Sequence, residues 1–215
     1  GEALASTHRV FAYDQRGHGD SETDTPLTLA ALATDLRAVA DSIGTVAAVV
    51  GHSWGGAVAL VAGPKIARAL VLVDPMIRVA PNSFEREYVD DLAALLAHAP
   101  GEERDAAVRD AFADADPRDR AGKMHAMASL DLETLRRLGR DNHADGGGWD
   151  LRERLAALKI PTTILLAGED SVVAPDDLTH RNGRVRVETF AGHGHTLHRS
   201  AFERFADAVR ESVLA

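Results

Sequence analysis

The sequence predicts an α/β protein, with a mostly parallel sheet flanked by helices. Short continuous apolar runs, such as Ala69-Leu70-Val71-Leu72-Val73 and the segment from Ile160 to Ala167, alternate with helix-periodic segments. Such runs read as strands covered on both faces, and their alternation with helices implies right-handed crossovers. One apolar run, Ala47-Ala48-Val49-Val50, enters Gly51-His52-Ser53-Trp54-Gly55 and then a small-residue helix. Ligands of such sheets bind at the carboxyl ends of the strands, and Ser53 is placed at one of them.

Taken in order, Arg9 to Asp14 reads as a short buried strand, followed by a tight loop marked by Gly17, Gly19 and Asp20-Ser21. From Thr28 a helix follows, with Leu29, Leu32, Leu36, Val39 and Ile43 on one face and Gly44 as its stop. The serine-bearing strand comes next, then a helix to about Gly63, then the Ala69 to Val73 strand closed by Asp74-Pro75. Between Pro75 and about Gly148 the chain turns to charged, alanine-rich helical segments, for example Phe84 to Ala97, and reads as an inserted helical cap. The Gly146-Gly147-Gly148 run is a linker signal ahead of a short amphipathic helix bearing Leu151, Leu155 and Leu158. Ile160 to Ala167 and Arg184 to Phe190 are the later strands, and Phe202, Phe205, Val209 and Val213 mark a last helix. The expected division is a core of residues 1–74 and 149–215 with a cap over 75–148.

Bulk properties narrow the function. The 215 residues, 45% of them hydrophobic, are enough for a real core. A formal charge of −9 argues against a nucleic-acid partner, which needs a concentrated basic surface. No apolar stretch approaches the roughly 18 residues of a membrane span, and a signal-peptide layout is not seen, so a cytoplasmic protein with no membrane partner is the default expectation. The absence of cysteine leaves covalent chemistry to Ser, Thr, Asp or Lys.

A serine nucleophile must be presented on a strained strand-to-helix turn, with glycines where a Cβ would block the approach of strand and helix; Gly51 and Gly55 flank Ser53 in that way. The backbone N–H of Trp54, at the new helix's start, then points where an oxyanion forms. A base and an orienting carboxylate come from other strand ends. His195, in Ala191-Gly192-His193-Gly194-His195 after the last strand, is the candidate base. Asp170, after the Ile160 to Ala167 strand, is preferred as the acid, with Asp74 as the rival from the preceding strand end. His193, His195 and His198 also suggest a metal cluster, but Leu197 stands where that signature has a ligand aspartate and no histidine follows His198, so no metal is expected.

With these residues in hand, the chain resembles the α/β-hydrolase fold superfamily. The resemblance rests on Tyr13-Asp14-Gln15-Arg16-Gly17-His18-Gly19-Asp20-Ser21, Val50-Gly51-His52-Ser53-Trp54-Gly55-Gly56, Leu70-Val71-Leu72-Val73-Asp74-Pro75, Ile164-Leu165-Leu166-Ala167-Gly168 and Gly192-His193-Gly194-His195. It implies a three-layer fold, with Ser53 as nucleophile, His195 as base and acid, the Trp54 amide as an oxyanion donor, and a structural Arg16 to Ser21 loop. Two departures stand out. The family's usual acid position after the seventh strand falls on Ser171, and the chain starts at Gly1-Glu2-Ala3-Leu4, where the family begins with three further strands and an oxyanion loop. The expectation is therefore an N-terminally truncated piece of a longer hydrolase, in which the Arg9 to Asp14 strand either moves over to pair with the serine-bearing strand or leaves unpaired backbone. The implied activity is cleavage of a carboxylic ester or related acyl bond of a small apolar substrate, without cofactor. C–C bond hydrolysis and cofactor-free haloperoxidase chemistry on the same triad, or a non-catalytic ligand-binding fragment, remain as alternatives. Phe84, Met124 and Met127, with Trp54 and Met76, are candidate pocket residues, although apolar residues at helical spacing more often form core.

Overall fold

The apolar runs become strands and the periodic segments become helices. The computed structural model describes residues 2–22, 26–80, 89–143 and 148–214. In chain order these contain α1 (Glu2–Ala5), α2 (Leu29–Ile43), β1 (Val46–His52), α3 (Trp54–Ala62), β2 (Ala67–Val73) and β3 (Arg78–Val79). Then follow α4 (Val89–Leu96), α5 (Glu102–Ala111), α6 (Pro117–Ser129), α7 (Leu132–His143) and β4 (Trp149–Asp150). The chain continues through α8 (Arg152–Ala156), β5 (Thr162–Ala167), β6 (Val185–Phe190), α9 (Leu197–Ser200) and α10 (Phe202–Leu214). It divides into two units, one of Gly1–Tyr13, Leu29–Arg78 and Asp150–Ala215, the other of Asp14–Thr28 and Val79–Trp149.

The first unit is built on a parallel sheet in the order β1-β2-β5-β6. The register pairs His52 with Val73, Val73 with Leu165, and Ala167 with Phe190, so the four strands end along one edge. The central strand β2 explains its own sequence. Leu70, Val71, Leu72 and Val73 are all buried because both faces of the strand are covered. Val71 and Val73 pack with Leu165, Phe190, Leu197, Ala208 and Val209 beneath α10. In a second cluster, Leu32 and Ala33 of α2 pack with Val58 and Ala62 of α3. The helix expected from Thr28 runs over Leu29–Ile43, and Gly44, at φ 87°, adopts the left-handed conformation that ends it.

One expected element is absent. Residues 9–14 lie in no strand, and Val10 and Phe11 are 44% and 50% exposed rather than buried. Extended backbone becomes a strand only with a ladder partner, and among the described residues β1 pairs with β2 alone. Of the two outcomes expected for this segment, the structure has the unpaired one. Val50 of β1 is accordingly exposed.

The second unit holds α4 to α7 together with the 14–28 loop. Arg104 is buried there, its guanidinium donating to the carbonyl oxygens of Leu96, His98 and Met127. Five donors on one rigid fork suit it to closing helix C-termini, whose last carbonyls lack helical partners. Leu27 ties the loop to α7: its N–H donates to Asp141 and its carbonyl accepts from Asn142. The Arg16 to Ser21 turn is closed internally, with the Ser21 hydroxyl donating to the Asp14 carbonyl at 2.6 Å. Met127 is buried core and Met124 half-buried, whereas Phe84 and the Gly146-Gly147 part of the glycine run lie outside the described residues.

The joint between β1 and α3 leaves no room for a side chain. A Cβ on Gly51 would lie 2.3 Å from the Gly55 carbonyl oxygen, and one on Gly56 would lie 2.6 Å from the Pro75 Cβ. Gly51→Ala is expected to destabilise the protein by about 1–3 kcal/mol or more in urea unfolding. Gly183→Ala, at a turn with open space around the new methyl group, is expected to be neutral on the same measurement.

Candidate active site

Ser53 follows β1 and precedes α3 with φ 54° and ψ −118°, a conformation L-residues rarely adopt. Such strain costs roughly 1–3 kcal/mol and persists only where the surroundings over-determine it. Here the backbone does so. The Ser53 N–H donates to the Val73 carbonyl at 2.9 Å, and the Ser53 carbonyl accepts from Gly56, Ala57 and Met76. The residue is left half-buried at the carboxyl edge of the sheet, and Trp54 stands at the first position of α3, the positive end of its dipole.

Asp74 follows β2, next to β1 in the sheet, and is also held at positive φ, 41°. Its carboxylate is fully buried and accepts four hydrogen bonds. His195 Nδ1 donates at 2.6 Å, the Ser171 hydroxyl at 2.6 Å, and the Ala167 and Val172 amides at 3.1 Å each. Burial, the largest influence, pushes its pKa up, but the bonds from His195, Ser171, Ala167 and Val172 together outweigh it and hold the carboxyl below its ordinary value. The carboxylate is therefore ionised at neutral pH. An Asp acceptor on Nδ1 leaves the Nε2 of His195 as the free end of the ring.

His195 rides on the loop between β6 and α9. That loop is pinned to the end of β5, where the Gly168 N–H donates to the His193 carbonyl at 2.9 Å. A Cβ on Gly168 would lie 2.6 Å from the Ala191 Cα, so glycine is required for this approach. The His195 side chain is 25% exposed and thus reachable. His52 lies beside it, its ring centroid 4.5 Å from that of His195 and 4.3 Å from that of His198. Burial, then the nearby His198 and His195, push the His52 pKa down to about 3, so it is neutral at working pH.

The sequence of residues 1–208 matches the model of the alpha/beta hydrolase family. The chain belongs to that family. This alpha/beta hydrolase is 40% identical over 113 residues to the lipase LipV of Mycobacterium tuberculosis, a match covering 50% of this chain and 43% of LipV. It is 28% identical over 193 residues to RutD of Azorhizobium caulinodans, named as a carbamate hydrolase, covering 80% of this chain and 67% of RutD. The chain thus matches less than half the length of LipV. The solved enol-lactonase of Burkholderia xenovorans LB400 has the same fold, with a TM-score of 0.76 at 19% identity over 100% of this chain and 84% of the lactonase.

This alpha/beta hydrolase places Ser53, Trp54 and His195 at one edge of the sheet, and the carboxylate beside His195 comes from the rival candidate rather than the preferred one. The carboxylate on His195 is Asp74, not Asp170. Asp170 is exposed on the loop after β5, one residue before position 171, where the family spacing puts the acid. Ser171 occupies that place and gives its hydroxyl to Asp74 instead. Two contributors carry little mark in the sequence. Ser171 is visible there only as a departure from the family spacing, and His52 only as a histidine ending an apolar strand beside Ser53. The three clustered histidines point to different partners: His193 Nδ1 lies 3.1 Å from the Ser200 hydroxyl, His195 meets Asp74, and His198 packs on His52 and Phe205. Among the described residues no cluster of His, Cys, Asp or Glu is arranged to hold a metal ion. None of the described helices is long and apolar enough to cross a membrane.

His52 links stability to pH. Unfolded, it takes up a proton at its ordinary 6.5, whereas in the fold it resists to about 3. Because the unfolded state binds more protons over that window, its contribution to stability is full above 6.5 and declines as the pH falls towards 3. Urea unfolding midpoints are expected to drop on acidification across this window, and His52→Gln to flatten part of that drop.

Proposed function

We propose that this protein is a serine hydrolase that cleaves a carboxylic ester or related acyl bond through an acyl-enzyme, with Ser53, His195 and Asp74 as its triad. The observation that carries the reading is the fully buried Asp74 carboxylate bonded to His195 Nδ1 at 2.6 Å, at the same strand edge as the strained Ser53. In this reading the Ser53 hydroxyl oxygen attacks the acyl carbonyl while His195 Nε2 takes its proton. Asp74 holds the imidazole tautomer and stabilises the imidazolium that forms, and the Trp54 amide donates to the oxyanion. His195 then returns the proton to the leaving group, and water, deprotonated by the same nitrogen, releases the acid and regenerates Ser53.

The names of the sequence relatives fit this chemistry. A lipase and a carbamate hydrolase each act on an acyl-type carbonyl, which favours ester or related acyl cleavage over C–C hydrolysis or haloperoxidase chemistry. We assign the substrate only to that class, as a small apolar acyl compound.

Incubation with a fluorophosphonate, followed by intact mass and peptide mapping, tests the reading. One adduct at Ser53 is expected, absent in Ser53→Ala and His195→Ala. Asp74→Asn is expected to slow hydrolysis of a nitrophenyl ester by as much as about 10⁴-fold, the effect of removing an orienting aspartate. Asp170→Asn is expected to stay near wild type, and a large loss there would overturn the choice of acid. Tight ligand binding by a folded sample with no adduct at Ser53 would instead identify a binding module.

A further inference from the structure

His52 is a part-buried titratable group beside the site to which the triad chemistry gives no task. Its Nε2 lies 2.9 Å from the backbone carbonyl oxygen of His195. A carbonyl has no proton to give, so Nε2 carries the hydrogen and donates it. His52 is the last residue of β1, one before Ser53, so this bond runs from the elbow strand to the histidine loop. His195 is then gripped at two points from two neighbouring strand ends: its ring by Asp74 after β2, its backbone by His52 of β1.

We infer that His52 is a positioning residue for His195, its Nε2–H to the His195 carbonyl fixing the distance between the base and the Ser53 elbow. The inference rests on the proposed role of His195 as the base. The His52 ring is tilted 42° to the His195 ring and 48° to the His198 ring and lies close to both. The charged or titratable groups that act on it are His195, His198 and Arg199, all of which oppose a second positive charge there. The clamp consequently stays neutral and keeps the same donor while His195 itself gains and loses a proton. A histidine that titrated alongside His195 would put two cationic rings 4.5 Å apart at the moment the imidazolium forms.

The test compares the full chain with His52→Gln, His52→Asn and His52→Leu. Gln carries an amide nitrogen at the same number of bonds from the backbone as the imidazole Nε2, Asn stops one atom short, and Leu removes the donor. Two readouts are taken: the pH-dependent rate of fluorophosphonate labelling at Ser53, and the low-field NMR resonance of the His195 Nδ1 proton shared with Asp74. Gln is expected near the wild-type rate, whereas Asn and Leu are expected to fall by up to about 10²-fold, the scale of an ångström-sized misplacement. Their Nδ1 resonance is expected to broaden or vanish. Wild-type rate and unmoved pH midpoint in Asn and Leu, or a Gln variant as slow as Leu, would overturn the inference. If Leu does not fold, the Asn and Gln pair carries the comparison. If wild-type Ser53 takes no label, the proposed hydrolase activity fails and the NMR readout alone decides: a resonance retained in Asn overturns the clamp, and one lost in Asn but kept in Gln supports it.

Discussion

The site depends on one buried charge. The Asp74 carboxylate has no exposed surface, and an ion so placed costs several kcal/mol unless its lone pairs are filled. Four donors fill them, and they come from three separate parts of the chain: Ala167 at the end of β5, Ser171 and Val172 in the loop that follows, and His195 after β6. The demand for those donors is therefore what draws the loops after β5 and β6 onto the end of β2. It also explains why the loop after β5 turns sharply, with Asp170 held at φ 53° on its way to delivering the Ser171 hydroxyl and the Val172 amide.

The parallel register makes the rest possible. Because His52 pairs with Val73 and Val73 with Leu165, the residues that leave these strands emerge side by side. Ser53 and Asp74 are the first residues beyond β1 and β2, and each has positive φ. Their strain is offset locally. The Ser53 N–H reaches back to Val73, its carbonyl takes three amides including that of Met76, and the Asp74 N–H donates to Leu165 at 2.7 Å. Two strained residues are thus braced from adjacent strands, which fixes where each side chain starts.

The inner strands β2 and β5 were legible because they are buried on both faces, and such strands announce themselves as unbroken apolar runs. Leu70 to Val73 needs no partner information to be recognised. The Ser53 elbow and the His195 loop were legible for a different reason, since their glycines answer local steric demands: Gly51 against the Gly55 carbonyl, Gly168 against Ala191. What failed was what depends on a neighbour in space. Arg9 to Asp14 has strand-like residues but, among the described residues, no ladder partner, and residue type alone cannot report that. The choice between Asp170 and Asp74 turned on which carboxylate the folded loops surround with donors. An aspartate enclosed in that way carries no mark in the sequence that separates it from an exposed one at the next strand end.

The same dependence on neighbours explains why the histidine loop reads as flexible in sequence and is fixed in structure. The loop, Ala191 to Thr196, is rich in glycine, and Gly192 adopts φ 77°. A loop of this kind has little rigidity of its own, and the base proposed on it would forfeit much of its advantage by wandering an ångström. Rigidity is supplied instead from the strand ends. Gly168 holds the His193 carbonyl, His52 holds the His195 carbonyl, and Asp74 holds the ring, each from a different strand of the sheet. Glycine therefore serves here for close approach rather than for freedom, and the order of the site is inherited from the register of β1, β2 and β5.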